Sequence, residues 1–455
     1  MAPDEEPRPW EELEKLIEES DAGRVEAFLD TLPGGEAVLA VSRLSEDDQA
    51  ALLTTLDPEE AAELVEQMPD AQAVEMIERL EPEAAAAIVD ELPSDEQADL
   101  LGDLDRQDAE AILNEMSPDD ARDARELVQY ADDVAGGLMV KEFLSYAHNS
   151  TVADVLADMQ ANAETYQDFD VQYAYVTAEE NRLVGVLRLR DLLLARRSRA
   201  ISAIMIGDPQ TVPDTSSLDE LRATFDRYQF YGVPVVNDAG ALVGVVQHAD
   251  VEEALADRSD SDFLKSRGIV GGEELRTMPL LVRSRRRLAW LSVNVVLNII
   301  AASVIAMYQE TLTAVIALAV FLPIISDMSG CSGNQAVAVT MRELTLGLVR
   351  PTELARVWLK EVSVGVINGV VLGLLIAVAA ILWKGNAFLG LVVGGAMAAN
   401  TLVAVSIGGT VPLVLRRFNM DPALASGPIL TTITDMCGFF LVLSFAAALL
   451  PLLTA

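Results

Sequence analysis

Four uninterrupted apolar runs dominate the C-terminal part of this sequence, at 288–308, 362–383, 387–415 and 429–453. Each reaches the roughly 20 residues that an α-helix needs to cross the hydrocarbon of a bilayer. A backbone in hydrocarbon finds no water to bond, so runs of this kind have to be helices. A fifth run, 313–341, is interrupted by the polar stretch 326–335, which contains Asp327. The expectation is a five-helix transmembrane domain over 284–455.

Charge divides the chain at the same place. Of 455 residues, 32 are basic and 71 acidic, for a net charge of -39. Residues 281–455 hold 11 of the basic and only 7 of the acidic side chains, so the first 280 residues carry nearly all the negative charge. Phosphate neutralisation needs Lys/Arg stripes, so nucleic acid is excluded as a partner. Orientation follows from basic residues near the span ends. Arg283, Arg285, Arg286 and Arg287 precede the first span, Arg342, Arg350, Arg356 and Lys360 lie between the second and third, and Arg416 and Arg417 between the fourth and fifth. Only Lys384 falls on the other side. The N-terminus is therefore expected in the cytoplasm and the C-terminus outside, in a plasma (inner) membrane. The opening MAPDEEPRPW has no basic and apolar leader pattern, so no cleaved signal peptide is expected.

Enzymatic chemistry is not indicated. No nucleophile–base pair, phosphate loop or hydride-cofactor fingerprint occurs, and LPGG at 32–35 is a repeat joint. Cys331 and Cys437 both lie in spans, so no disulfide framework is expected. His148 and His248 are too few for a histidine metal site.

Within the acidic half, after a helix in 1–21, residues 22–117 repeat with a period of twelve. The seventh, eighth and eleventh positions are apolar, as in Leu52, Leu53 and Leu56, or Ile88, Val89 and Leu92. Those positions share one helical face, while Pro, Asp and Ser at the joints start and stop short helices. The pattern predicts an all-α superhelical domain over 22–130. Its acidic outer positions read by default as a solvated face. A salt-loving host would acidify such a surface too.

A second duplication follows. LVGVLRLRD at 183–191 matches LVGVVQHAD at 242–250, a step of 59 residues. Each copy reads helix, strand, turn, strand and an acidic helix start. This resembles a tandem pair of cystathionine-β-synthase (CBS) domains, an α/β pair at 138–199 and 200–258. The resemblance implies a nucleotide-sized cleft, with ribose contacts at Asp191 and Asp250, Arg190 beside the first, and Tyr173 and Phe230 packing on a base. The residues alone leave a second role open, since an Asp at a helix start also caps it. A connecting helix is expected over 251–280.

Ionisable residues inside spans are costly and therefore suggest function. Asp327 and Asp435 qualify. Thr431 and Thr432 share a helical face with Asp435, and Gly438 lets another backbone come close. Asn334 and Gln335 accompany Asp327, with Asn368 and Asn400 in the third and fourth spans. SGCSGNQ in the second span and SIGGTVP at 406–412 are expected to break regular helix and line a wet cavity. Carboxylate, amide and carbonyl oxygens suit a hard cation. Thr431, Thr432, Asn334 and Asn400 are the candidate pore lining. Either acid could instead anchor a hydrogen-bonded packing node.

The full order of parts resembles the MgtE family of magnesium channels. FLPIISDMSGCSGNQAVAVTMREL and DPALASGPILTTITDMCGF carry the likeness most strongly, although SGCSGNQ departs from the commoner glycine-rich form. The resemblance places an ion-selecting carboxylate at Asp435, with Asp421 and Asp327 as further metal candidates, in a homodimer whose pore lies on its twofold axis. It also implies Mg2+ as both cargo and regulator, with ATP or another adenine nucleotide as a cytosolic ligand. Feedback inhibition would act through Asp250, Glu252, Glu253, Asp257, Asp260 and Asp262. A divalent cation exchanger coupled to Na+ or H+, and a non-transporting sensor of Mg2+ or nucleotide, are the alternatives.

Overall fold

In the computed structural model the described residues are 8–163, 165–167, 169, 172–271, 274–276, 278–418 and 420–454. The opening residues and the start of the expected 1–21 helix fall on residues 1–7, outside the described residues. The chain divides into two compact units, Met1–Arg258 and Ser259–Ala455.

The first unit opens on short helices: α1 (Pro9–Glu19), α2 (Ala22–Leu29), α3 (Gly34–Val41), α4 (Glu46–Thr55), α5 (Pro58–Glu66), α6 (Asp70–Ile77), α7 (Pro82–Val89), α8 (Ser94–Asp103), α9 (Arg106–Glu115) and α10 (Asp120–Leu127). From α3 to α9 the helix starts advance by the twelve residues of the repeat. Pro33, Pro69 and Pro93 precede helices, and Pro58 and Pro82 open them, where a missing N–H costs nothing. Ser45 caps α4 by accepting the Asp48 N–H at 3.2 Å. From α4 on, each helix packs against the one two places on, α4 on α6, α5 on α7, α6 on α8, α7 on α9 and α8 on α10. The stripe of Leu52, Leu53, Leu64, Val65, Met76, Ile77, Ile88 and Val89 is buried in one continuous core. Each such side chain contributes about 1.5–3 kcal/mol by leaving water.

Two four-stranded sheets follow. The elements are β1 (Met139–Val140), β2 (Leu144–Ala147), α11 (Val152–Ala161), β3 (Tyr173–Thr177), β4 (Leu183–Arg188), α12 (Leu189–Leu194), β5 (Ile206–Gly207), β6 (Val212–Pro213), α13 (Leu218–Tyr228), β7 (Gly232–Val236), β8 (Leu242–Gln247) and α14 (His248–Ser266). The orders are β2-β3-β4-β5 and β1-β8-β7-β6, so each half lends the other an edge strand. The duplication is visible in the ladders. Tyr173 pairs with Arg188 and Gly232 with Gln247, one repeat step apart, and both ladders shift register at their far end. Val140, Tyr175, Val186, Leu242 and Val245 pack where the halves meet. Ala98 of α8 joins the core of the second half, tying the superhelix to it.

The expected connecting helix over 251–280 is shorter than anticipated. α14 ends at Ser266, where the Ile269 N–H bonds the Leu264 carbonyl and the Gly268 N–H that of Lys265. Gly268 holds φ at 82°, a left-handed conformation that closes a helix with both bonds. Residues 272, 273 and 277 of that stretch lie outside the described residues.

The second unit contains α15 (Leu280–Met307), α16 (Gln309–Ala314), α17 (Leu318–Thr345), α18 (Leu354–Lys384), α19 (Ala387–Arg417), α20 (Pro422–Ala448) and α21 (Leu450–Leu453). Among the described residues four helices, α15, α18, α19 and α20, are long and apolar enough to cross a membrane. The fifth expected span is α17, a helix of 28 residues that is not among them, because its apolar first turns run into 326–335. The expected breaks are absent. SGCSGNQ continues α17 and SIGGTVP continues α19. Glycine propensity loses here because unbonded backbone would be costlier, and because these glycines let helices touch. A Cβ on Gly408 would lie 2.2 Å from the Gly333 carbonyl oxygen, and one on Gly373 2.6 Å from that of Gly394. Thus α19 meets α17 and α18 backbone to backbone.

Gly408→Ala should lower the thermal midpoint of the detergent-solubilised protein by an overpacking cost of about 1–3 kcal/mol. Gly427→Ala, where nothing among the described residues lies within 4 Å of the new Cβ, should leave it unchanged. Equal midpoints for the two variants would contradict this account of the crossings.

Candidate functional site

The polar residues of the second unit sort into an open face and a buried layer. On α17, Asp327, Cys331 and Asn334 fall at i, i+4 and i+7, one face of the helix, and all three are exposed. On α20, Thr431 is exposed, while Thr432 and Asp435 are half-buried. The Ser326 hydroxyl of α17 donates a short hydrogen bond to Asp435 Oδ1, joining the two helices at the carboxylate. Asp421 caps α20, its Oδ1 accepting the Ala423 N–H at 2.8 Å and the Leu424 N–H at 3.4 Å. Asn400 is fully buried, and its Nδ2 donates to the Thr434 carbonyl at 3.1 Å. It therefore sits among α17, α19 and α20 rather than on the open face. Asn368 is half-buried in α18. Carboxylate, amide and hydroxyl oxygens on one face form a donor set suited to hard, hydrated cations. Ser326 escaped sequence reasoning, because 109 residues separate it from Asp435 and no spacing rule spans that distance.

The first unit holds a second acidic assembly. Asp250, Glu253 and Asp257 follow one another at i, i+3 and i+7 along α14. Glu66 at the end of α5, Asp70 at the start of α6 and Glu96 of α8 stand opposite them, while Asp99 and Asp103 of α8 couple to Asp70 and Asp132. Desolvation raises the Glu66 carboxyl, and then Glu253 does; desolvation and then Asp257 do the same to Asp70. Glu96 is pushed up to about 8 by desolvation, Asp99 and Glu253. Asp99, which still touches solvent, is pushed up to about 8 by desolvation and by Asp132 and Asp95. Asp95 is held well above the ordinary range by desolvation, then Asp250. Among the described residues no three acidic, His or Cys side chains converge to metal-ligating geometry. The assembly is a field of like charges rather than a closed cage. Glu252 lies 3.7 Å from His248 on the outer side of α14, and Asp260 and Asp262 lie further along it. The outer acids of α5, α6 and α8 were expected to be merely solvated. In a repeat acidic at nearly every outer position, no sequence contrast marks those that face another element.

Val140, Glu142, Phe143, Gln172, Tyr173, Tyr231 and Gln247 are among the residues lining a small open cleft between the two sheets. Of the expected nucleotide contacts, Tyr173 lines it. Asp191 lies near: it accepts a 2.8 Å bond from Arg188 Nε, and Arg188 pairs with Tyr173 in the ladder. Arg190 lies 3.7 Å from Asp191. Phe230 stacks on Tyr228 with centroids 5.3 Å apart. Asp250 accepts the Gln247 N–H at 3.2 Å, the back-bond of a helix cap.

Comparison with known proteins matches the same order of parts along the chain. The family model described as a divalent cation transporter, MgtE, matches residues 322–445, and that of the MgtE intracellular N domain matches 10–81 and 32–133. The CBS domain model matches 133–198 and 201–257. The magnesium transporter MgtE of Enterococcus faecalis is 32% identical over 72% of this chain and 71% of its own. That of Bacillus subtilis is 30% identical over 71% of each. A solved structure of the cytosolic domain of the Mg2+ channel MgtE in complex with ATP is 27% identical, covering 54% of this chain and 99% of that one, with a TM-score of 0.49. Identity and coverage of the full-length relatives, over both halves, make this chain a member of the MgtE family of divalent cation transporters.

Proposed function

We propose that the chain is a Mg2+-selective channel of the plasma (inner) membrane, with its N-terminus in the cytoplasm, closed by cytosolic Mg2+. One observation carries the reading: Asp327, Asn334 and Thr431 lie on an open face of α17 and α20, with Asp435 pinned between those helices. A membrane protein keeps such a face only against water or against a second polar face. A homodimer meets that need, with two copies of Asp435 across one path. Mg2+ sheds its water reluctantly, so carboxylate, hydroxyl and amide oxygens would hold it through its hydration shell. Binding of that kind also releases the ion.

The acidic assembly supports regulation. Like charges at Glu66, Asp70, Glu96, Asp99, Glu253 and Asp257 oppose packing of α14 on the superhelix, and a divalent cation among them removes the opposition. High cytosolic Mg2+ then holds α14, which leads into the membrane unit, and closes the path. An adenine nucleotide in the Tyr173 cleft adds a second cytosolic input, with Asp191 reaching its ribose and Arg190 its phosphates. The chain acts as a transporter and not as an enzyme.

In proteoliposomes, Asp435→Asn should lower Mg2+ uptake at least about tenfold, the order a lost ligand costs. Wild-type uptake should need neither a Na+ nor a proton gradient. Uptake unchanged by the substitution would remove Asp435 from the path, and uptake that requires either gradient would make the protein an exchanger.

Raised carboxyls bind protons more tightly when packed, so packing is favoured at low pH and weakens as pH rises through about 8. Limited proteolysis without divalent cations should therefore cut the cytosolic part faster at about pH 9 than at about pH 6, and Mg2+ should abolish the difference. A pH-independent rate would count against the acidic assembly as the sensor. Tyr173→Ala should weaken ATP binding by calorimetry about tenfold, since an aromatic contact on a base is worth about 1–3 kcal/mol. Undiminished binding would place the nucleotide elsewhere.

A further inference from the structure

We infer that Asn400 is a positioning residue for the Asp435 carboxylate, acting through the backbone of α20 and not by touching the ion. The inference rests on the reading of Asp435 as the ion-selecting group. Asn400 has no exposed surface, so it meets no ion in an open path. Its Nδ2 instead donates to the carbonyl of Thr434, the residue immediately before Asp435. That carbonyl belongs to a helix, so a fixed side-chain donor from α19 sets the rotation of α20 about its own axis. The rotation decides where Asp435 points.

Gly438 makes the contact feasible. A Cβ there would lie 2.8 Å from Asn400 Nδ2 and 3.6 Å from Ile325 Cγ2, so only glycine leaves the amide room to reach α20. From the other side, Ser326 of α17 donates to Asp435 Oδ1. The carboxylate is thus fixed from two helices, directly by α17 and through its own backbone by α19.

The energetics say that this contact is not there for stability. Among the described residues Asn400 Oδ1 is buried without a partner, as are Thr401 Oγ1 and Ser332 Oγ on the neighbouring surfaces of α19 and α17. Burying an amide with half its bonding capacity unmet costs more than an apolar side chain would. A residue that is a liability for folding yet holds the turn bearing the key acid is accounted for by orienting that acid.

The test uses the full-length protein in liposomes, with separate Mg2+ and Ca2+ fluxes and the thermal midpoint in detergent as readouts. Asn400→Ala removes the donor, and Gly438→Ala blocks it from the opposite helix. Each should keep a wild-type midpoint within a few degrees and lower the preference for Mg2+ over Ca2+ about tenfold, the usual cost of losing the partner that orients a ligand. The double variant should lose no more than either single one, because both break one contact. An unchanged preference in either variant, additive losses in the double variant, or failure of both singles to fold would overturn the inference in favour of a packing contact. Asp435→Asn is measured beside them. If that variant keeps its preference, the reading of Asp435 fails; if it alone loses preference, only the role of Asn400 fails.

Discussion

Direct backbone contact between α19 and its neighbours is the constraint on which the membrane unit depends. With Gly333 against Gly408 and Gly373 against Gly394, α19 has no room for side chains at its crossings. Hydrocarbon supplies no hydrophobic force between helices, so small residues and close van der Waals contact have to supply the cohesion. The same closeness places Asn400 within reach of α20 and brings Ser326 to Asp435. A polar group that costs free energy in isolation is thereby held in one orientation. Packing and the chemistry of the proposed path are a single feature of these helices.

The first unit works on the opposite principle. Its apolar stripe stabilises the superhelix, while its acids oppose further packing where α5, α6 and α8 approach α14. Desolvation raises these carboxyls, and neighbours of the same sign raise them further. Such a surface has two ways to relax: bind protons, or bind divalent cations.

How much of this was legible in the sequence depended on the range of the interaction. The helix starts at Glu46, Pro58, Asp70 and Pro82 follow from joints that proline, Asp and Ser mark locally. The paired ladders at Tyr173–Arg188 and Gly232–Gln247 follow from a repeat that copies whole strands. By contrast, 326–335 and 406–412 were expected to break because glycine and proline disfavour helix, and they remained helical because packing overrides that preference. The open placement of Asp327 and the burial of Asn400 are tertiary facts. Both residues look equally polar in the sequence, and only the helices around them separate a surface group from an internal strut. The acids of α8 that couple to α14 were hidden for a related reason, since Asp95 and Glu96 look like every other outer position of the repeat.

A planar-bilayer recording of the purified protein tests the central claim most directly, with Mg2+ as the only permeant cation and its concentration varied on the cytosolic face. The account predicts unitary current steps at symmetrical pH without Na+, whose open probability falls as cytosolic Mg2+ rises. Mg2+ movement without unitary steps, in fixed proportion to Na+ or proton movement and indifferent to cytosolic Mg2+, would contradict it.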